Sequence, residues 1–67
     1  MTTIMINGEP AQLPTPATVA DLVETRYGDR RFLAVAVEGE VVPRSQWQHH
    51  PLEEGAAVEV LTAVQGG

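Results

Sequence analysis

Few residues in this 67-residue chain have the type and spacing to do chemistry, and the strongest candidates stand at its end. The sequence runs to Ala63-Val64-Gln65-Gly66-Gly67, which sets a carboxylate behind two residues without a Cβ. Glycine suits a segment that threads a narrow cleft, because its backbone approaches neighbours closely and takes φ values other residues avoid. At an average usage of ~7%, two glycines in succession at a given place arise by chance about 0.5% of the time. That disfavours accident; the competing reading is a frayed end of the kind common at termini. The basic residues are Arg26, Arg30, Arg31 and Arg44, and lysine is absent. No side-chain amine on this chain could therefore intercept the terminus if it were turned into an acylating agent. A plain compositional bias towards arginine accounts for the same count.

The remaining chemistry is thin. His49-His50 invites a metal reading, but adjacent residues point different ways, and no cysteine, third histidine or well-spaced acid completes a ligand set. They read as loop residues, with no metal site. With no cysteine there is no disulfide framework, thiolate metal site or cysteine nucleophile. No Ser-His-Asp grouping, phosphate-binding glycine loop or paired-carboxylate site is visible. The formal charge of −5 argues against nucleic acid or an anionic membrane as partner and fits docking onto a basic patch of another protein. A chain this short forms one domain with a thin core, burying only about 60% of its unfolded surface, which argues against an autonomous enzyme. The 43% hydrophobic content is nevertheless enough for a globular fold. Met1-Thr2-Thr3-Ile4 lacks the basic and apolar regions of a signal peptide. No apolar run approaches the ~20 residues of a membrane span. A cytoplasmic protein is expected.

The elements that would hold the end in place follow from local pattern. Thr2–Ile6 predicts a first strand with Ile4 and Ile6 in the core. Asn7-Gly8 predicts a type I′ hairpin, because both central positions need φ > 0. Glu9–Leu13 returns as the second strand, with Pro10 at an edge or facing outwards. Pro14-Thr15-Pro16 ends the hairpin. Thr18 and Asp21 form a variant capping box, and Val19, Leu22, Val23 and Tyr27 make one apolar helical face. Arg26 near the C-terminus and Gly28 as the C′ residue close the helix. Phe32–Val37 is the most apolar run and is expected as the central strand, apolar on both faces. Glu38-Gly39 turns into a short strand, Glu40–Val42, stopped by Pro43. Arg44–Trp47 predicts a helical turn, with the Trp47 ring laid over one end of the core. Glu53-Glu54-Gly55 turns into the last strand, residues 57–62, where Val58 and Val60 face inwards and Leu61 outwards. The order predicts an α+β fold: a mixed sheet of about five strands with one helix on one face, in the ubiquitin-like β-grasp layout. In that layout the first and last strands lie side by side and parallel. The expected division is a β-grasp domain, 1–62, and a flexible Gly-Gly tail, 63–67.

Four stretches together resemble the ThiS family, the small sulfur carriers of thiamine biosynthesis within the ubiquitin-like superfamily. They are Ile4-Met5-Ile6-Asn7-Gly8-Glu9, Thr18-Val19-Ala20-Asp21-Leu22, the run from Ala34 through Pro43-Arg44 to Trp47, and Gly66-Gly67. Val42-Pro43-Arg44-Ser45-Gln46-Trp47 is the stretch most particular to thiazole-pathway carriers. The resemblance implies a carrier rather than a catalyst, with no bound cofactor. A ubiquitin-activating-like adenylyltransferase would use ATP to turn the Gly67 carboxylate into an acyl adenylate. A persulfide sulfur, from a cysteine desulfurase or related donor, would then replace AMP and leave a thiocarboxylate for thiazole synthase. Gln65 and Gly66 would thread the partner's channel, and Leu61 and Ala63 would lie against it. Carriers of the molybdopterin or cysteine pathways share the same tail. From another class, a ubiquitin-like modifier or protein-binding module with an incidental Gly-Gly also fits.

Overall fold

The computed structural model describes residues 1–28 and 33–62. Strands β1 (Thr2–Ile6) and β2 (Glu9–Leu13) form the expected hairpin, with Ile6 opposite Glu9 and Thr2 opposite Leu13. Asn7 and Gly8 take φ of 51° and 86°, the doubly left-handed backbone that a type I′ turn demands. Pro10 is exposed on β2, an edge strand of the sheet, where a missing N–H is tolerated.

The helix α1 (Val19–Arg26) starts where the capping residues place it. The Asp21 N–H donates to Thr18 Oγ1 at 3.2 Å, and the Thr18 N–H donates to Asp21 Oδ2 at 2.8 Å. Two otherwise orphaned donors are thereby satisfied, and the carboxylate lies at the positive end of the helix dipole. Val19, Leu22 and Val23 are buried, and Tyr27 packs half-buried against the core. The helix ends with the Tyr27 and Gly28 N–H groups both donating to the Val23 carbonyl, at 2.8 and 2.9 Å.

Strands β4 (Leu33–Val37) and β5 (Glu40–Val42) flank the tight Glu38-Gly39 turn. A 3-10 helix, Arg44–His49, follows Pro43. Its Trp47 is buried, donating its indole N–H to the Val42 carbonyl at 2.9 Å, with the Arg44 guanidinium 4.7 Å from the ring centroid. Polar tip and apolar body are thus both accommodated. The last strand, β7 (Ala57–Thr62), runs parallel to β1 and antiparallel to β4. The five-stranded sheet has the order β2-β1-β7-β4-β5, and the helix covers the face that carries Ile4, Ile6, Val35, Val37, Val58 and Val60. This is the β-grasp arrangement.

Three expectations are corrected. The most apolar run does not form the central strand: β7 is central, and β4 lies one place towards the edge. Nor is β4 buried on both faces, since Val35 and Val37 are buried whereas Ala34 is exposed and Ala36 half-buried. Alanine is apolar yet small, so a run can read as continuous while one of its faces stays open. Phe32 lies outside the described residues, as do 63–67. Second, the element order contains two further short strands, β3 (Ala17–Thr18) and β6 (Pro51–Leu52), paired antiparallel to each other. This small pairing and the bond from the Val19 N–H to the His50 carbonyl (3.0 Å) tie the helix start to the segment before the last strand. Third, His49 is the final residue of the 3-10 helix rather than a loop residue, and His50 follows it as the cap.

Candidate functional site

The candidate site is built on β7, because that strand leads directly into residues 63–67. It alternates as far as Leu61: Val58 and Val60 are buried, and Ala57, Glu59 and Leu61 are exposed, as is Thr62 at its end. Successive strand residues point to opposite faces, and paired residues of neighbouring strands share one. The register therefore identifies what surrounds Leu61. Ala34 of β4 is opposite Leu61, Ala36 is opposite both Glu59 of β7 and Val41 of β5, and Met5 of β1 is opposite Ala57. Leu61 is 71% exposed and Val41 74%. They belong to one open sheet face floored by the small side chains of Ala34, Ala36 and Ala57. Single exposed apolar residues are ordinary; this face carries two large ones, with the exposed Glu59 on the same side.

The placement of the sequence-derived site residues is accordingly split. Leu61 is where alternation put it, outward on the last strand. Ala63, Gln65, Gly66 and Gly67 lie outside the described residues. Val41, Ala34 and Ala36 were not singled out from sequence. The available signal was Val41-Val42, two adjacent valines in a strand that cannot both face the core.

A cleft of about 390 Å³ beside the start of β7 is lined by Glu38, Glu53 and Glu54 together with His50, and carboxylates repel a polyphosphate. Two of these acids serve the sheet instead. Glu38 accepts from the Ala57 N–H at 2.8 Å, and Glu54 from the Thr3 N–H at 3.0 Å. Among the described residues no three His, Cys, Asp or Glu gather as a metal site, and no helix is long and apolar enough to cross a membrane.

Comparison with known proteins places this geometry. The ThiS family model matches residues 4–67. The chain is similar to the sulfur carrier protein ThiS of Escherichia coli, 28% identical over 64 residues, covering 96% of this chain and 97% of that protein. It is also similar to the crystal structure of the thiamine biosynthesis protein ThiS of Geobacter metallireducens. The TM-score there is 0.80 and the identity 25%, over 98% of this chain and 100% of that one. The solution structure of a thiamine biosynthesis protein from the same organism gives a TM-score of 0.81 at 25% identity, over 98% of this chain and 88% of that one.

Proposed function

The chain belongs to the ThiS family, and on that premise we propose that it carries sulfur on the Gly67 carboxylate for thiazole formation in thiamine biosynthesis. It is a carrier, not an enzyme. The observation that carries the reading is the family match, which extends to residue 67 and includes Gly66-Gly67.

The chemistry required of the terminus is simple and has to be supplied by partners. A carboxylate is a poor electrophile: its charge repels nucleophiles and its leaving group would be an oxide. Transfer of AMP from ATP, with release of pyrophosphate, removes both faults. A persulfide sulfur then attacks the carbonyl carbon and AMP departs. A thiol reduces the resulting acyl disulfide, leaving a thiocarboxylate on Gly67. The ATP site belongs to an adenylyltransferase, the persulfide to a donor such as a cysteine desulfurase, and the sulfur acceptor is thiazole synthase. On this reading the protein itself holds no cofactor and works in the cytoplasm. Gln65 and Gly66 thread the adenylyltransferase channel, where a Cβ at Gly66 would crowd the walls. Leu61 and Ala63 dock beside it, with the surrounding acids matched to a basic partner surface.

Intact mass spectrometry of the protein from its native host tests the reading. The expected result is a fraction heavier by the exchange of one oxygen for one sulfur, which grows when thiazole synthase is removed. A terminus that stays a plain carboxylate under those conditions contradicts it, and conjugation to another protein's amine would indicate a modifier.

A further inference from the structure

The hairpin tip does more than turn the chain. Strand β1 pairs with β7 only as far as Ile6 opposite Val58, after which β1 swings away into its turn. The Met5 N–H donates to the Ala56 carbonyl and the Asn7 N–H to the Val58 carbonyl, both at 2.9 Å. The backbone groups of Ala56, Val58 and, by alternation, Val60 thus face the β1 side. Val60 has no β1 residue opposite it. The Asn7 side chain takes that place: the Val60 N–H donates to Asn7 Oδ1 at 2.8 Å, and Asn7 Nδ2 donates to the Val60 carbonyl at 3.1 Å. A carboxamide presents the same donor and acceptor pair as a peptide group, so one side chain extends the ladder by a further step.

We propose that Asn7 is a positioning residue for the sulfur-carrying terminus, a role that rests on the carrier reading above. By holding Val60 on the β1 side, it lengthens the two-sided grip on β7 and fixes where the chain departs towards Gly67. The carboxylate must meet the activating nucleotide in a defined geometry, and a misplacement of ~1 Å can cost about a hundredfold in rate. The turn alone does not require asparagine, since glycine also takes φ near 51° without strain. The paired bonds to Val60 do require it.

Asn7→Gly therefore separates the two roles, keeping a turn-competent Gly-Gly while deleting the carboxamide. Hydrogen exchange of the intact protein should show the Val60 amide exchanging at least about tenfold faster in Asn7→Gly, its acceptor having been lost. In an adenylation assay with the cognate activating enzyme, kcat should fall about tenfold while KM changes by less than about twofold. Val19→Ala, a core truncation on the helix that removes neither Asn7–Val60 bond, should lower the melting temperature and spare kcat. Unchanged Val60 exchange in Asn7→Gly overturns the clamp. An unchanged kcat, or an equal loss in Val19→Ala, overturns the positioning role while leaving the carrier reading intact. No adenylation of the unaltered protein overturns the carrier reading and the positioning role together.

Discussion

Val60 and Leu61 are consecutive residues of one strand, and the sheet gives them opposite environments. Val60 is 4% exposed and lies in the same core as Ile4, Leu22 and Val35, whereas Leu61 is 71% exposed opposite Ala34. One short segment thus has two sides: the inner one closes a thin core, and the outer one stays open to solvent. On the carrier reading proposed above, folding and docking divide between the two faces of a single sheet. The core face is held by burial, by the capped helix and by Trp47, whereas Leu61 and Val41 of the open face lie largely in solvent.

Substitutions on the two faces should break apart accordingly. Val60→Asp places an unpaired carboxylate in the core. It should unfold the domain, since the cost of several kcal/mol matches the whole stability of a chain this small; loss of the cooperative thermal transition is the readout. Thr18→Ala removes one half of the capping box that sets the helix over the core face. It should cost about 1 kcal/mol, measured as a shift of the denaturation midpoint at constant slope. Leu61→Asp should change stability by no more than about 0.5 kcal/mol. It should nevertheless weaken binding to the adenylyltransferase by about 2 kcal/mol or more, measured by titration calorimetry. Equal loss of folding in Val60→Asp and Leu61→Asp would mean that the two faces are not distinct.

Much of this division was legible in the sequence because its signals are local. Thr18 and Asp21 are three residues apart, Asn7-Gly8 is a two-residue turn, and the alternation from Val58 to Leu61 assigns faces without knowledge of any partner strand. What escaped depends on contacts between distant segments. The Asn7 bonds to Val60 span 53 residues, and the pairing of β3 with β6 joins two-residue strands on opposite sides of the helix and the central turns. The place of β7 at the centre of the sheet was hidden for a different reason. The run of β4 is more apolar than β7, but its outward alanines contribute apolar character without needing cover. The setting of Val41 beside Leu61's face followed only once the register was known.

The central claim is that this domain is a platform for a reactive terminus, so that chemistry and folding separate at the end of β7. The most direct measurement compares the unaltered protein, the variant lacking Gly66 and Gly67, and Gly66→Val in adenylate formation by the cognate adenylyltransferase, with melting temperatures recorded in parallel. All three should melt together, within the roughly 0.5 kcal/mol typical of surface changes. The deletion should abolish adenylation, because two extended residues span about 7 Å and Gln65 would leave its carboxylate short of the nucleotide. Gly66→Val should keep that reach yet react slowly, its branched side chain resisting the channel. If the shortened protein is adenylated and passes sulfur on at the normal rate, the terminal-glycine account is wrong.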